Sequence, residues 1–296
     1  TATPTATPVP SVTTPTPIPN TVINSQILTS DTTWGVSGSP YLINGNIRVN
    51  ENVVLTVDPG VDLYFANNVS LEVLGTLRAA GEVNSPISFN YGGIPEGTWK
   101  GIQFRDSSKD YQGETGSIIQ NAVIYNSCES DVTHITIQSA SPKIANNQIG
   151  LSQTNSHRCY FRTALKIEND SSPIINENII IGGVTIGSDW NYEHTNPVTF
   201  TSNSVTAVGS TLNLWNSKAY IYGNEFKGYL ETAGVQLVIR HQTNEFVGDC
   251  INGFEFTNLV NEGYITFSSN VVIGLHNPDL EINWETSSTD TDKLDA

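Results

Sequence analysis

The sequence is short of methionine, cysteine and positive charge. Its 296 residues include no methionine and three cysteines, and 13 Lys and Arg stand against 29 Asp and Glu, for a net charge of −16. Because nucleic acids and anionic membrane surfaces attract positive charge, this balance argues against both as partners. No apolar run approaches the roughly 18 residues of a membrane span. A chain that starts at a threonine and has no methionine is typical of a processed protein, so we expect a secreted, extracellular or cell-surface location of the bacterial kind.

The two ends of the chain also lack an apolar pattern. Residues 1–20 contain six prolines, seven threonines and no charge. This composition predicts an extended arm or linker without a core of its own. Residues 286–296 are a polar, acidic tail. We therefore predict one folded domain over residues 21–285.

Within that domain one short frame recurs. Its clearest copy is 142–149, PKIANNQI, where an asparagine is followed two positions later by an apolar residue. The frame returns at intervals of 20 to 31 residues, anchored on Asn121, Asn147, Asn178, Asn203, Asn224, Asn244 and Asn270. A period in this range is typical of a solenoid, whose repeats bury their apolar faces against each other. Even spacing of the apolar sites indicates strands.

The recurring asparagine suits a sharp bend between two strands. Asparagine tolerates the left-handed backbone conformation, and its amide has both donors and an acceptor for stacked copies. The predicted fold is therefore all-β. It is a single-stranded right-handed parallel β-helix, or β-solenoid, of ten or eleven turns, with an asparagine ladder and an extended Pro/Thr-rich N-terminal arm. The right hand follows from the nearly universal right-handed crossover between parallel strands.

The first strands carry a resemblance to a known group. The segments LTVDPGVDLYF, LEVLGTLRAAG, PISF and WKGIQF follow one another between residues 55 and 104. This order resembles the opening coils of secreted bacterial right-handed parallel β-helix repeat proteins of the pectin-lyase-like superfamily. The resemblance covers residues 41–104, and the asparagine frame continues it to about residue 272. It implies the fold and leaves the function open, because that superfamily contains lyases, hydrolases, adhesins and scaffolds.

The longest intervals between the recurring asparagines contain the ionisable and aromatic side chains that suit catalysis or ligand binding. Counted from their asparagines, two insertions near residues 156–162 and 188–194 are expected to project from one side of the solenoid, with two acids from the turn before. The candidate catalytic residues are Asp189, Glu193, Glu129, Asp131, His157 and Arg158. The candidate sugar-binding aromatics are Trp190, Tyr192 and Trp215. A pair of carboxyls beside exposed aromatic rings suits glycoside chemistry, whereas a lyase needs a cation such as Ca²⁺ and a basic residue. The alternative is that these loops pack on each other and cover a sheet.

Cysteine and histidine give few further signals. Cys128 and Cys159 lie in the long segments of adjacent repeats, so a disulfide between neighbouring turns is geometrically possible. The alternative is that all three cysteines, with Cys250, are small buried apolar residues. No two-residue spacing of His or Cys indicates a zinc site, so no metal ligand is assigned.

Three classes of function follow. The first is a non-enzymatic extracellular structural or adhesive protein, a homo-oligomer whose exposed end strands and N-terminal arm join copies head-to-tail into a filament. The second is a polysaccharide lyase or glycoside hydrolase that uses the loops of residues 150–195. The third is a carbohydrate-binding module. No catalytic series of the polygalacturonases or calcium-binding aspartate cluster of the pectate lyases is present, and this absence favours the first class.

Overall fold

The chain forms a right-handed parallel β-helix. A computed structural model describes residues 19–92, 98–113, 115–125, 133–150, 163–187 and 198–207, and the shorter segments 210–215, 219–222, 224–228, 236–240, 264–268 and 281–284. Most of the predicted arm and all of the predicted tail lie outside these ranges. The first strand begins at Thr21. Within the described residues, no helix has the length and hydropathy needed to cross a membrane.

Three parallel sheets, here named A, B and C, run the length of the described chain, and strands are numbered in chain order. Sheet A contains β1 Thr21–Ile23, β4 Tyr41–Ile43, β7 Asp62–Phe65, β10 Ile87–Tyr91, β13 Ala122–Ile124, β16 Gln148–Ile149, β19 Ile179–Ile181, β22 Ser204–Ala207 and β25 Glu225–Gly228. Sheet B contains β2 Gln26–Leu28, β5 Ile47–Val49, β8 Leu71–Val73, β11 Ile102–Phe104, β14 Ile135–Gln138, β17 Thr163–Glu168, β20 Gly183–Gly187, β23 Ser210–Trp215, β26 Gln236–Arg240, β27 Tyr264–Ser268 and β28 Glu281–Trp284. Sheet C contains β3 Thr32–Trp34, β6 Val54–Val57, β9 Thr76–Ala80, β12 Ile118–Gln120, β15 Lys143–Ala145, β18 Ile174–Asn176, β21 Val198–Thr201 and β24 Ala219–Tyr222.

From β1 to β26 the chain visits the sheets in the order A, B, C, so β1, β2 and β3 make the first turn and each later turn stacks on the one before. The last two described strands, β27 and β28, extend sheet B. A 3-10 turn at Val36–Gly38 joins the first turn to the second. The eleven strands of sheet B agree with the ten or eleven turns predicted from the sequence. Handedness, strand direction and the asparagine ladder of the predicted fold class are all present.

Alternation along each strand builds the core. In β5, Ile47 and Val49 are fully buried while Arg48 between them is exposed. Parallel register then places buried residues of successive turns above one another, as in the pairing of β5 with β8. The aliphatic column is widened by rings in the third and fourth turns, where Phe65 stacks on Trp99 with ring centroids 4.1 Å apart. The described interior is therefore a continuous apolar column.

The corner between sheets C and A has two residues, and each has a separate role. The first is left-handed, as at Asn146 (φ 57°), Glu177 (φ 55°) and Ser202 (φ 55°). The second is the ladder asparagine, which is buried at Asn147 and Asn178. The left-handed residue turns the backbone, and the asparagine after it joins the turns.

The ladder itself connects four turns through buried amides. The Oδ1 of Asn178 accepts from the backbone N–H and from the Nδ2 of Asn147, each at 3.0 Å. The Nδ2 of Asn178 donates to the Ile144 carbonyl and to Oδ1 of Asn203, each at 2.9 Å. The same pattern continues from Asn203 to Asn224. Each inner amide therefore satisfies its donors and acceptor inside the protein.

Three of the predicted ladder positions differ: Asn121 needs correction, and Asn244 and Asn270 lie outside the described residues. Asn121 is left-handed (φ 47°) and occupies the first corner position, while Ala122 takes the ladder position and donates its N–H to Oδ1 of Asn147 at 2.9 Å. The prediction for Asn121 was wrong by one residue, because both corner positions accept asparagine. The strand before Asn270 is β27, which belongs to sheet B, so that copy of the frame is out of phase with the others.

Candidate ligand-binding face on sheet B

The outer face of sheet B carries a row of side chains that begins with the apolar Ile27 in the first turn and is polar or charged from the second turn onward. Each residue of the row lies at the centre of its strand, between two inward-facing neighbours. Register aligns the row as Ile27, Arg48, Glu72, Gln103, Thr136, Lys166, Thr185 and Asn213, one per turn. Its neighbours in successive turns are about 4.8 Å apart, the usual strand spacing. The sheet thus displays an ordered strip of polar groups along the axis.

Charge-assisted hydrogen bonds connect this strip from the second turn to the fifth. Glu72 accepts from Nε of Arg48 at 2.6 Å and lies 3.4 Å from Nε of Arg105. Arg105 also donates to Oε1 of Gln138 at 2.6 Å and to Oε1 of Gln103 at 2.5 Å. Such a network holds long side chains in defined positions, which prepares a surface for a ligand at a lower entropic cost.

The carboxylates on this face do not form a catalytic pair. Glu72 is shared by two arginines, and Glu168 pairs with Lys166 at 2.6 Å. The two acids lie three turns apart, which corresponds to about 14 Å at the usual strand spacing. Paired glycosidase carboxyls lie about 5 to 10 Å apart. Among the described residues, no three His, Cys, Asp or Glu side chains gather in the way that would hold a metal ion.

Positive charge is concentrated here although the chain is strongly acidic. The described residues between 19 and 207 include seven lysines and arginines: Arg48, Arg78, Lys100, Arg105, Lys109, Lys143 and Lys166. Three of them, Arg48, Arg105 and Lys166, lie on the outer face of sheet B, and Lys100 lies at its edge. Among the described side chains of this face, Glu72 and Glu168 are the only acids, and they pair with these three cations. The face is locally positive on a chain of net charge −16.

Two surface depressions lie on the described part of the solenoid. One of about 520 Å³ lies on sheet B and is lined by Arg48, Glu72 and Gln103, together with Asn46 and Ser70 at the A-to-B corner. Another of about 330 Å³ lies over the C-to-A corner, between Val83, Val123 and Ile179. Both combine charged and hydrogen-bonding groups, but the charged residues of the second are the acids Glu82 and Glu177, whereas the first contains the cation Arg48. The first is therefore the better start of a groove for an anionic ligand.

The connections that carry the predicted site residues are distributed around sheet B. The segment with Glu129 and Asp131 joins β13 to β14, and the segment with His157 and Arg158 joins β16 to β17, so both leave sheet A and enter sheet B on adjacent turns. The segment with Asp189 and Glu193 instead joins β20 to β21, at the opposite end of the sheet B strands.

The expectation that both insertions project from one side stays a prediction, because the insertions themselves lie outside the described residues. Their anchor points flank the outer face of sheet B from its two edges. The side chains of all six candidates lie outside the described residues, as do Trp190 and Tyr192. Trp215 is the last residue of β23, where its backbone pairs in register with Gly187.

The predicted disulfide stays a prediction. Cys128 and Cys159 belong to the two A-to-B connections of adjacent turns, whose anchor strands β13 and β16 are hydrogen-bonded neighbours. Both cysteines, and Cys250, lie outside the described residues. The topology brings their connections to the same corner, in agreement with the spacing argument.

One buried titratable residue was missed by the sequence argument. The His134 side chain is 2% exposed, and neither of its ring nitrogens has a hydrogen-bond partner. Burial lowers its pKa from 6.5 to about 4, because the surroundings disfavour the charged ring. No motif marks this histidine in the sequence. The only signal is its place directly before the alternating strand β14.

No protein-family model, curated protein or solved structure matches the chain. The class of protein is therefore defined by the fold: a parallel β-solenoid whose three sheets stack turn upon turn.

Proposed function

We propose that the chain is a non-enzymatic extracellular β-helix, structural or adhesive, that binds an anionic polysaccharide along the outer face of sheet B. The observation that carries this proposal is the concentration of positive charge on that face. Arg48, Arg105 and Lys166 belong to the second, fourth and sixth turns, so they are spaced about 10 Å apart along the axis. A linear polymer with repeated negative charges would contact all three at once, and such multiple contacts increase affinity.

Two further features support a polysaccharide as the polymer. The strip alternates charged groups with amides and hydroxyls, namely Gln103, Thr136 and Thr185, which suit sugar hydroxyls as hydrogen-bond partners. The resemblance of residues 41–104 to pectin-lyase-like β-helix proteins favours the same class of ligand, and it stays part of this proposal.

The proposal that the protein does not cleave its ligand is based on the positions of the described carboxylates on this face. Glu72 and Glu168 are each neutralised by a cation and are too far apart to act together on one glycosidic bond. A face of this kind is suited to holding a chain and not to cutting it. The resulting role is attachment: a rigid rod that presents one binding strip.

The proposal is tested by binding of polygalacturonate and alginate, with neutral xylan as the comparison. The double variant Arg105→Gln/Lys166→Gln should bind the acidic polymers at least about tenfold more weakly, because charge-assisted hydrogen bonds contribute about 1.5–3 kcal/mol each. Binding of the unmodified protein should weaken as salt is raised.

The control variant Lys109→Gln/Lys143→Gln removes the same charge away from sheet B and should bind normally. Equal losses in the two double variants would contradict a site on sheet B. Incubation with each polymer, with and without Ca²⁺, should release neither reducing ends nor unsaturated products. Their release, with loss of activity in an Asp189 or Glu193 variant, would establish the enzyme alternative instead.

A further inference from the structure

His134 occupies an unusual position for a histidine. It is the residue directly before β14, in the connection from sheet A to sheet B of the fifth turn. Its ring is buried, and both Nδ1 and Nε2 are without a partner. A buried imidazole nearly always has at least one hydrogen bond, because an unmade bond costs free energy. This ring is therefore held in place by the backbone around it and not by its own polar atoms.

The backbone of His134 joins three turns of the solenoid. Its N–H donates to the Ala164 carbonyl of the sixth turn at 3.1 Å, and its carbonyl accepts from the Ile102 N–H of the fourth turn at 3.0 Å. Gly101 lies against the same peptide with a positive φ of 75°, and a Cβ there would be 2.5 Å from the His134 oxygen. The corner is closely packed, so the ring cannot leave while these contacts persist.

No described charged group is placed to compensate a positive ring. On the fourth turn the nearby charges are Lys100 and Arg105, which are positive. On the sixth turn Lys166 and Glu168 pair with each other at 2.6 Å and are partly exposed. On the fifth turn β14 itself contains no ionisable residue. The acids Glu129 and Asp131 of the preceding connection lie outside the described residues. Among the described residues, a protonated His134 would have no counter-ion, and a buried charge of that kind is strongly unfavourable.

From this arrangement we propose that His134 is an acid-operated latch, whose protonation opens the backbone junction of His134 with Ile102 and Ala164. Exposure of the ring to water removes the cost of the buried charge. It requires loss of the two backbone hydrogen bonds of His134, while the hydrogen bonds of the rest of β14 remain. The opening is local to the junction of the fourth, fifth and sixth turns. The device is independent of any ligand on sheet B.

The direction of the pH dependence follows from the two protonation states. The ring titrates at about 4 in the closed corner and near 6.5 when exposed. The closed state is therefore fully favoured above pH 6.5 and loses stability as the pH falls towards 4. The equilibrium constant for opening increases by up to about tenfold for each pH unit in this range.

Hydrogen exchange of the backbone amides measures this opening directly. Between pH 7.0 and pH 4.5, after correction for intrinsic exchange rates, protection of the Ile102 and His134 amides should fall by roughly 50- to 100-fold. The Ile47 amide, which donates to Ser70 between the second and third turns, should change far less. An unchanged protection at Ile102, or an equal fall at Ile47, would overturn the proposal.

Two replacements of the histidine and one control complete the test. His134→Phe and His134→Leu cannot take a proton, so in whichever variant folds the amide of Ile102 should keep its protection at pH 4.5. His276→Gln removes a different histidine and should retain the acid-induced fall. Persistence of the fall in a folded His134 variant, or its loss in His276→Gln, would assign the acid sensitivity to another group.

Discussion

At the scale of single residues, the stability of this solenoid depends on polar groups that are buried and satisfied. Asn178 is 1% exposed and takes part in four side-chain hydrogen bonds that connect three turns. A buried amide with all its hydrogen bonds contributes little net free energy to stability. Its removal is costly, because the buried groups that it paired with are left without hydrogen-bond partners. His134 shows the opposite case, a buried ring whose nitrogens have none.

Replacement of Asn178 by leucine tests the ladder. The change removes the acceptor for two groups of Asn147 and the donor to the Ile144 carbonyl. We expect the free energy of unfolding to fall by at least about 1–3 kcal/mol, measured by guanidinium titration. The matched control is Asn176→Leu in the same turn, whose amide donates only to the Thr201 hydroxyl at 3.2 Å and which should cost less than about 1 kcal/mol. Equal effects of the two changes would contradict a special role for the ladder.

At the scale of elements, the two-residue corner between sheets C and A determines the stacking of the turns. Its first position is left-handed in the four corners that lead from the fourth turn to the eighth, although the residue there differs: Asn121, Asn146, Glu177 and Ser202. The left-handed conformation costs an ordinary L-residue about 1–2 kcal/mol, whereas asparagine adopts it readily. Local strain is thus unevenly distributed among otherwise equivalent corners.

This strain predicts the effect of changes at Glu177, whose side chain is exposed and whose N–H donates to the Thr201 carbonyl at 3.1 Å. Glu177→Asn should stabilise the protein by about 0.5–1 kcal/mol, because it relieves the left-handed strain. Glu177→Val should destabilise it by more than about 1 kcal/mol, since a β-branched residue resists this conformation. Thermal and guanidinium unfolding of both variants check the order. A stabilising valine would show that the corner is not left-handed in solution.

At the scale of the whole molecule, the first turn differs from those stacked on it. At one inward position of each sheet it has a polar residue, Thr21, Gln26 or Thr32, in register with Tyr41, Ile47 and Leu55 of the second turn. The core therefore ends in these three polar residues beside the buried apolar residues Ile23, Leu28 and Trp34. Outward-facing Val22 and Ile27 are more than half exposed, and the edges of β1, β2 and β3 each pair on one side only. Any association at this end would use strand edges and these two side chains.

The head-to-tail assembly predicted from the sequence stays a prediction, and the first turn gives it a sharper test. The full chain should sediment as species larger than a monomer, and a form without residues 1–20 should not. The double variant Val22→Lys/Ile27→Lys should abolish association, because charge on an edge strand blocks pairing with another chain. Val83→Lys, on an 84% exposed residue two turns away, serves as the control. A monodisperse full-length monomer at high concentration would exclude the filament.

The sequence by itself determined the class of fold. Strand alternation and the asparagine frame are local patterns that repeat, so the stacked parallel strands and the buried column of amides could be predicted before any coordinates. The position of an asparagine in this frame is ambiguous, because two adjacent corner positions both accept asparagine. For this reason the frame assigned Asn121 to the ladder position, which Ala122 occupies.

Only the tertiary structure decided where the functional groups lie. The interval from one ladder asparagine to the next contains the A-to-B corner and the B-to-C corner, so extra residues at either corner lengthen it equally. For that reason the sequence could not show that the segments of His157 and Asp189 enter from opposite edges of sheet B. Likewise, the proximity of Arg48, Arg105 and Lys166 and the burial of His134 depend on which residues the neighbouring turns place beside them. Such contacts arise from stacking across 30 to 60 residues of chain, which no local pattern contains.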